Sequence, residues 1–187
     1  MLNNQSKRIE VELRSMFDET KYNELASFFD KHAKDLGEDN KNVFFFILPD
    51  KLIKVVDNIS KNTAKIVLKL NKIGKGSGFE EIEIFIQRQG VEKSVKLFIS
   101  LGLIEVQNSF QKRHNYLYKN VEFALKHSKD WGYHLELEQI VNDKKDISLA
   151  EKKMNVLATE LGLHIMTEKE LEEFTSRKDE EHRNNKK

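Results

Sequence analysis

The chain of 187 residues is long enough for one sizeable core and cramped for two domains. Its 32 Lys and Arg nearly balance 31 Asp and Glu, so no global field selects nucleic acid or an anionic membrane. With no cysteine there is neither a disulfide framework nor a thiolate metal site; any metal must be held by carboxylates, His or backbone oxygens, which favours hard ions such as Mg²⁺ or Mn²⁺.

The first ten residues are polar and unlike a secretory leader, and no apolar run approaches the roughly 20 residues of a membrane span, so a cytoplasmic location is expected. Ile9, Val11 and Leu13 alternate with Glu10, Glu12 and Arg14, the period of a strand. From Asp18 to Leu36 the apolar positions Tyr22, Leu25, Ala26, Phe28 and Phe29 have helical spacing, with Asp18 as cap and Gly37 as stop. Val43–Leu48 reads as an aromatic-rich strand ended by Pro49, with the Phe44-Phe45-Phe46 run assigned to the core. Leu52–Val56 is the next strand, Asn58–Asn62 a turn, and Ala64–Leu70 a strictly alternating strand. The stretch Gly74-Lys75-Gly76-Ser77-Gly78 reads as a flexible connection; its spacing is not that of a phosphate-binding loop. Glu81–Ile86 alternates again, Val91–Leu101 is a short helix ending at Gly102, and strands follow around Ile104–Arg113, Asn120–Leu125 and His134–Val141. Leu149–Leu161 is an amphipathic helix ending at Gly162, and Glu168–Phe174 a last short one. The expected organisation is a single domain over residues 1–175 and a disordered charged tail over 176–187. Many antiparallel strands with few helices mean α+β, or a barrel with helices outside.

Three strands carry two glutamates one residue apart: Glu10 and Glu12, Glu81 and Glu83, Glu136 and Glu138. Residues i and i+2 share a strand face, so each pair presents two carboxylates side by side. Lys65 and Lys69 align cations on another strand, Arg14 extends the first acidic face, and Arg113 lies on a further strand. Two readings are open. The charged faces can be the solvent side of an ordinary sheet. Alternatively the sheet closes, the charged faces line its interior, and clustered carboxylates become a divalent-cation site beside Lys and Arg donors for phosphate oxygens. His114, His127, His134 and His164 read as surface or structural histidines, with only His134 sharing a face with Glu136 and Glu138.

The ordered set of these residues resembles the CYTH superfamily, the triphosphate tunnel metalloenzymes, which includes class IV adenylate cyclases and thiamine or inorganic triphosphatases. Glu10-Val11-Glu12-Leu13-Arg14 is similar to the family's Glu-x-Glu-x-Lys signature, and the segment from Trp131 to Glu138 is similar to its late turn and Glu-x-Glu strand. Lys69 stands where the family has a strand lysine, Glu81 and Glu83 resemble its central acidic strand, and Arg113 with Tyr116 its Arg-x-x-Tyr. The resemblance covers residues 8–163. It implies an eight-stranded antiparallel closed β-barrel, a tunnel with helices packed outside. It also implies Mg²⁺ or Mn²⁺ held by Glu10, Glu12, Glu83, Glu136 and Glu138, and a triphosphate held by Arg14, Lys54, Lys65, Lys69 and Arg113. The implied partner is a small-molecule triphosphate (ATP, thiamine triphosphate or inorganic triphosphate), with no nucleic acid and no membrane; the oligomeric state, a dimer included, is left open.

This chain departs from the family pattern at several positions. Lys54 and Val56 stand where the family has two arginines, Arg14 replaces the signature lysine, Gln111 stands where a lysine is expected, and Lys126 stands where the family has an aspartate. The expected function is metal-dependent binding and hydrolysis or cyclisation of a nucleoside or other organic triphosphate. The alternative is a binding module that keeps the tunnel and has lost rapid chemistry.

Overall fold

The computed structural model describes residues 9–70 and 77–185. It contains nine strands: β1 (Ile9–Phe17), β2 (Lys34–Glu38), β3 (Lys41–Ile47), β4 (Leu52–Asn58), β5 (Thr63–Lys69), β6 (Gly78–Ile86), β7 (Glu105–Tyr118), β8 (Val121–Ser128) and β9 (Gly132–Val141). Among the described residues four α-helices accompany them: α1 (Glu19–His32), α2 (Val91–Ser100), α3 (Ile147–Glu160) and α4 (Glu168–Asn185).

Strands β7-β3-β4-β5-β6-β1-β9-β8 pair antiparallel in that order, and β8 pairs back to β7, closing an eight-stranded barrel. The long β7 makes the closure. Its first half, Glu105–Gln111, pairs with Phe46–Lys41 of β3, and its second half, Gln111–Tyr118, pairs with Ser128–Val121 of β8. The ninth strand, β2, continues the β3 edge and pairs with His114–Leu117 of β7. At the opposite seam β1 meets β6 through three residues, Ile9–Val11 against Glu80–Gly78, although β1 pairs with β9 over its whole length.

The alternation in the sequence is realised with the charged faces inward. Outward-facing Ile9 and Val11 of β1, Val121, Phe123 and Leu125 of β8, and Leu135 and Leu137 of β9 pack with Leu25 and Phe29 of α1 and Ala150, Met154 and Leu157 of α3. A second core joins Phe46, Val55 and Ala64 to Val91 of α2. Each fully buried large side chain contributes about 1.5–3 kcal/mol, so these two cores outside the barrel supply most of its apolar stabilisation. A third, small cluster lies inside, where Val43, Val56 and Val67 meet Phe45. The Phe44-Phe45-Phe46 run therefore divides: Phe46 and Phe44 serve the outer core, and Phe45 faces the tunnel.

Several boundaries differ from expectation. Asp18 caps α1 as expected, its Oδ1 accepting from the Lys21 backbone N–H at 2.9 Å. The helix nevertheless stops at His32, and Gly37 sits in β2 at a bulge with φ +86°, where a side chain would be strained. Residues 71–76, including Gly74 to Gly76 of the expected flexible connection, lie outside the described residues, but Gly78 begins β6. A Cβ there would come 2.8 Å from Ile147 Cδ1 of α3, so this glycine permits close packing. The expected disordered tail is corrected over residues 176–185, which continue α4. Leu171 is buried, the Phe174 ring meets Trp131 edge-on at 5.0 Å, and Lys178 pairs with Glu181 one turn on, giving the helix an anchor and local support. No helix among the described residues is long and apolar enough to cross a membrane.

Candidate functional site

The inward residues of the eight strands surround a cavity of about 740 Å³, the size range of sites for ligands as large as a nucleotide. Nine Lys or Arg side chains and nine Asp or Glu side chains line it, so its charges balance. Glu12 and Glu136 are only 5% and 6% exposed, and Glu10 and Glu138 line the same cavity, which rejects the reading of these faces as solvent-facing.

Strand register determines which acidic pairs meet. Glu12 lies opposite Glu138, and Arg14 opposite Glu136, across the β1–β9 ladder. As a result Glu12, Glu136 and Glu138 each place an oxygen within 4.8 Å of the others. The remaining expected metal ligands fall outside this trio. Glu10 stands at its edge, 3.4 Å from Lys69 Nζ, and Glu83 pairs with Lys65 across the β5–β6 ladder. Three carboxylates are hard oxygen donors, a set that fits Mg²⁺ or Mn²⁺.

Of the five expected phosphate donors, Arg14, Lys69 and Arg113 contact the trio, whereas Lys54 and Lys65 pair with Glu81 and Glu83. Arg14 pairs with Glu12, and its Nε donates to Glu136 Oε1 at 3.2 Å. Its Nη1 is buried with no hydrogen-bond partner among the described residues, and the guanidinium lies 5.9 Å from the Trp131 ring centroid. A buried donor without an acceptor is costly, and an anion would satisfy it. Lys69 sits 3.0 Å from both Glu12 and Glu81, across the β1–β6 seam. Burial alone would lower its pKa, but Glu12, Glu10 and Glu81 outweigh that and hold it above the ordinary lysine value. Arg113 grips both oxygens of Glu138 at 2.9 and 3.0 Å and reaches Glu136 at 3.3 Å. Lys54 is less well compensated: its nearest carboxylate, Glu81, is 4.0 Å away, and burial followed by repulsion from Lys69 lowers its pKa to about 8.

Glu136 and Glu138 face opposite electrostatic conditions. Burial would raise Glu136, but Lys126, Arg14 and Arg113 hold it well below the usual carboxylate range. For Glu138, burial is reinforced by Glu10, Glu136 and Glu12, and together they push it upward against the pull of Arg113.

Several lining residues lack an unambiguous sequence signal. Asp39 sits at the corner between β2 and β3 with Lys41 at 2.7 Å, Lys61 at 3.1 Å and Arg113 at 3.4 Å. Lys41 itself is lowered to about 8 by burial and by Arg113. Lys41 shares its strand face with the apolar Val43 and Phe45, so its inward position carried no charged-face signal. Lys126 reaches Glu136 Oε2 at 2.9 Å, and His134 lies on the same rung. From α4, Glu172, Thr175, Ser176, Lys178 and Asp179 also line the cavity, so the site uses residues beyond 175.

A family model described as the CYTH domain matches residues 58–171. No curated protein sequence matches the chain. Among solved structures, the PH1819 protein of Pyrococcus horikoshii is similar at 24% identity and a TM-score of 0.71, over 84% of this chain and 93% of that one. A putative adenylate cyclase from Vibrio parahaemolyticus is similar at 14% identity and a TM-score of 0.66, over 90% of this chain and 98% of that one. A protein from Hippeastrum, described as a putative adenylyl cyclase with a dominant triphosphatase activity, is similar at 13% identity and a TM-score of 0.60, over 84% and 89%. At these identities the likeness is one of fold.

Proposed function

The chain belongs to the CYTH domain family, and on that premise we propose that its tunnel binds a triphosphate compound together with Mg²⁺ or Mn²⁺ and cleaves it, by hydrolysis or cyclisation. The observation that carries this reading is the meeting of three carboxylates from β1 and β9 with the unpaired Nη1 of Arg14 inside one closed barrel. The metal ligands in this reading are Glu12, Glu136 and Glu138, with Glu10 at the edge, while Glu83 pairs with Lys65 and does not line the cavity. A divalent cation, when bound, supplies neutralisation of phosphate charge and polarisation of its oxygens.

The chain's own cations then have separate tasks. Arg14 donates its free Nη1 to a phosphate oxygen, with its guanidinium 5.9 Å from the Trp131 ring centroid. Arg113 has its two terminal nitrogens on Glu138 and Glu136, from which they can pass to phosphate oxygens, and Lys69 is a compact charge fixed between β1 and β6. Lys54 and Lys65 extend the cationic track toward β4 and β5. These fixed charges stabilise the charge that develops as a P–O bond breaks, with water attacking in a hydrolase and a ribose hydroxyl in a cyclase. The apolar wall of Val43, Val56, Val67 and Phe45 favours an organic triphosphate, whose ring-bearing part gains from burial where a bare phosphate chain does not. A cytoplasmic location suits this reading.

The test is release of phosphate or pyrophosphate from ATP, thiamine triphosphate and inorganic triphosphate with Mg²⁺ or Mn²⁺. Turnover well above a Glu10→Ala/Glu12→Ala double variant is expected; none above that control refutes the enzymatic reading. A second reading, binding without rapid chemistry, is favoured by one observation: Lys126 neutralises Glu136, a member of the carboxylate trio. Under it, calorimetry shows metal-dependent triphosphate affinity and no product forms.

A further inference from the structure

Glu136 carries more positive charge than one carboxylate needs. Arg14 Nε approaches its Oε1 at 3.2 Å, while Arg113 Nη1 at 3.3 Å and Lys126 Nζ at 2.9 Å converge on its Oε2. Across the trio, Glu12, Glu136 and Glu138 are in contact with four cations, Arg14, Lys69, Arg113 and Lys126. Arg14, Lys69 and Arg113 each pair with two or more carboxylates, whereas Lys126 pairs, among the described residues, with Glu136 alone, which already holds two arginines. Lys126 is 5% exposed and lies on β8 beside His134 and across from Arg113, so it cannot swing into bulk solvent away from Glu136.

Resting on the metal–triphosphate reading above, we propose that Lys126 is a resident cation that keeps a bare divalent ion out of the trio and admits it only together with a triphosphate. A bare ion must displace or approach an ammonium already bonded to one of its ligands. A polyphosphate arriving with the ion brings negative oxygens to which Lys126 can transfer its N–H bonds, leaving only the longer Arg113 contact on Glu136 Oε2 and opening that oxygen to the ion. Metal and triphosphate are then coupled ligands, each raising the affinity for the other by the same factor. Lys126 thereby becomes a triphosphate-binding residue of this chain at a position where the family has an acid.

Titration of the full chain with Mn²⁺, followed by electron paramagnetic resonance, tests this with and without a non-hydrolysable ATP analogue. In the unmodified protein Mn²⁺ alone is expected to bind weakly and the analogue to tighten it strongly. Lys126→Met is expected to tighten Mn²⁺ alone by about tenfold or more and to shrink the gain from the analogue. Lys126→Arg, which keeps the charge, is expected to behave as the unmodified protein. Glu136 keeps Arg14 and Arg113 in the Met variant, so no buried charge is orphaned and the fold survives. Equal Mn²⁺ affinity in the unmodified protein and Lys126→Met overturns the role of Lys126, while binding of Mn²⁺ with the analogue leaves the proposed function standing. If neither Mn²⁺ nor the analogue binds any variant, both fall.

Discussion

His134 provides a quantitative test of the buried electrostatics. Its ring is 2% exposed, its Nδ1 donates to the Gly132 carbonyl at 3.1 Å, and Trp131 lies 5.4 Å away. Burial, and next the charge of Lys126, lower its pKa from 6.5 to about 3, so the folded chain holds it neutral while the unfolded chain takes up a proton below 6.5. Stability from this group is therefore complete above pH 6.5 and is lost progressively as pH falls toward 3. Between pH 7 and pH 5 the unfolded state alone gains the proton, worth about 1.36 kcal/mol per unit, or about 2 kcal/mol over the interval. His134→Phe keeps a ring beside Trp131 and removes the titration. Urea unfolding at pH 7 and pH 5 is expected to show the unmodified protein losing about 2 kcal/mol more than the variant across that interval. Equal losses in the two proteins would refute the argument that His134 is held neutral.

Lys69→Met leaves Glu10, Glu12 and Glu81 without the cation they share, and a loss of about 3–5 kcal/mol is expected in chemical denaturation. Arg14→Ala removes the buried donor beside the trio; triphosphate affinity by calorimetry is expected to fall about tenfold or more, the equivalent of about 1.4 kcal/mol. Phe29→Ala empties the contact of α1 with Tyr116 and Phe123 and is expected to cost about 3–5 kcal/mol by urea unfolding while triphosphate affinity at saturating folded protein is unchanged.

Much of the barrel was legible because its strands alternate strictly, and period two assigns each residue to one of two faces. Which face points inward was not a local property: Glu10 and Glu12 alternate with Ile9 and Val11 whether the barrel is open or closed. Closure depends on β7 pairing with β3 along one half and β8 along the other, contacts far apart in sequence. The three Glu-x-Glu strands are equivalent as sequence, yet barrel register brings Glu12 to Glu136 and Glu138 and leaves Glu83 with Lys65. The short strand β2, Lys-Asp-Leu-Gly-Glu, lacks alternation and gains its structure from the β7 edge, so it was absorbed into the helix before it. The last helix was truncated for a related reason. Its apolar anchors, Leu171 and Phe174, end where the charged residues begin, and the following turns persist by facing the tunnel mouth.

Among the described residues β1 and β6 share a three-residue ladder, next to residues 71–76, which lie outside the described part. Elsewhere each strand is zipped to its neighbour by a longer ladder, and two separate cores brace the wall from outside, one under α1 and α3 and one under α2. The strands thus fall into two groups, each backed by its own core, and the join at β1–β6 is ionic as well as backbone: Lys69 of β5 clasps Glu10 and Glu12 of β1, and Glu12 N–H reaches Ser77 O at 2.9 Å. Under the proposed function, a ligand that recruits those carboxylates or that ammonium competes with this join, so binding and the closure of the barrel draw on the same few atoms.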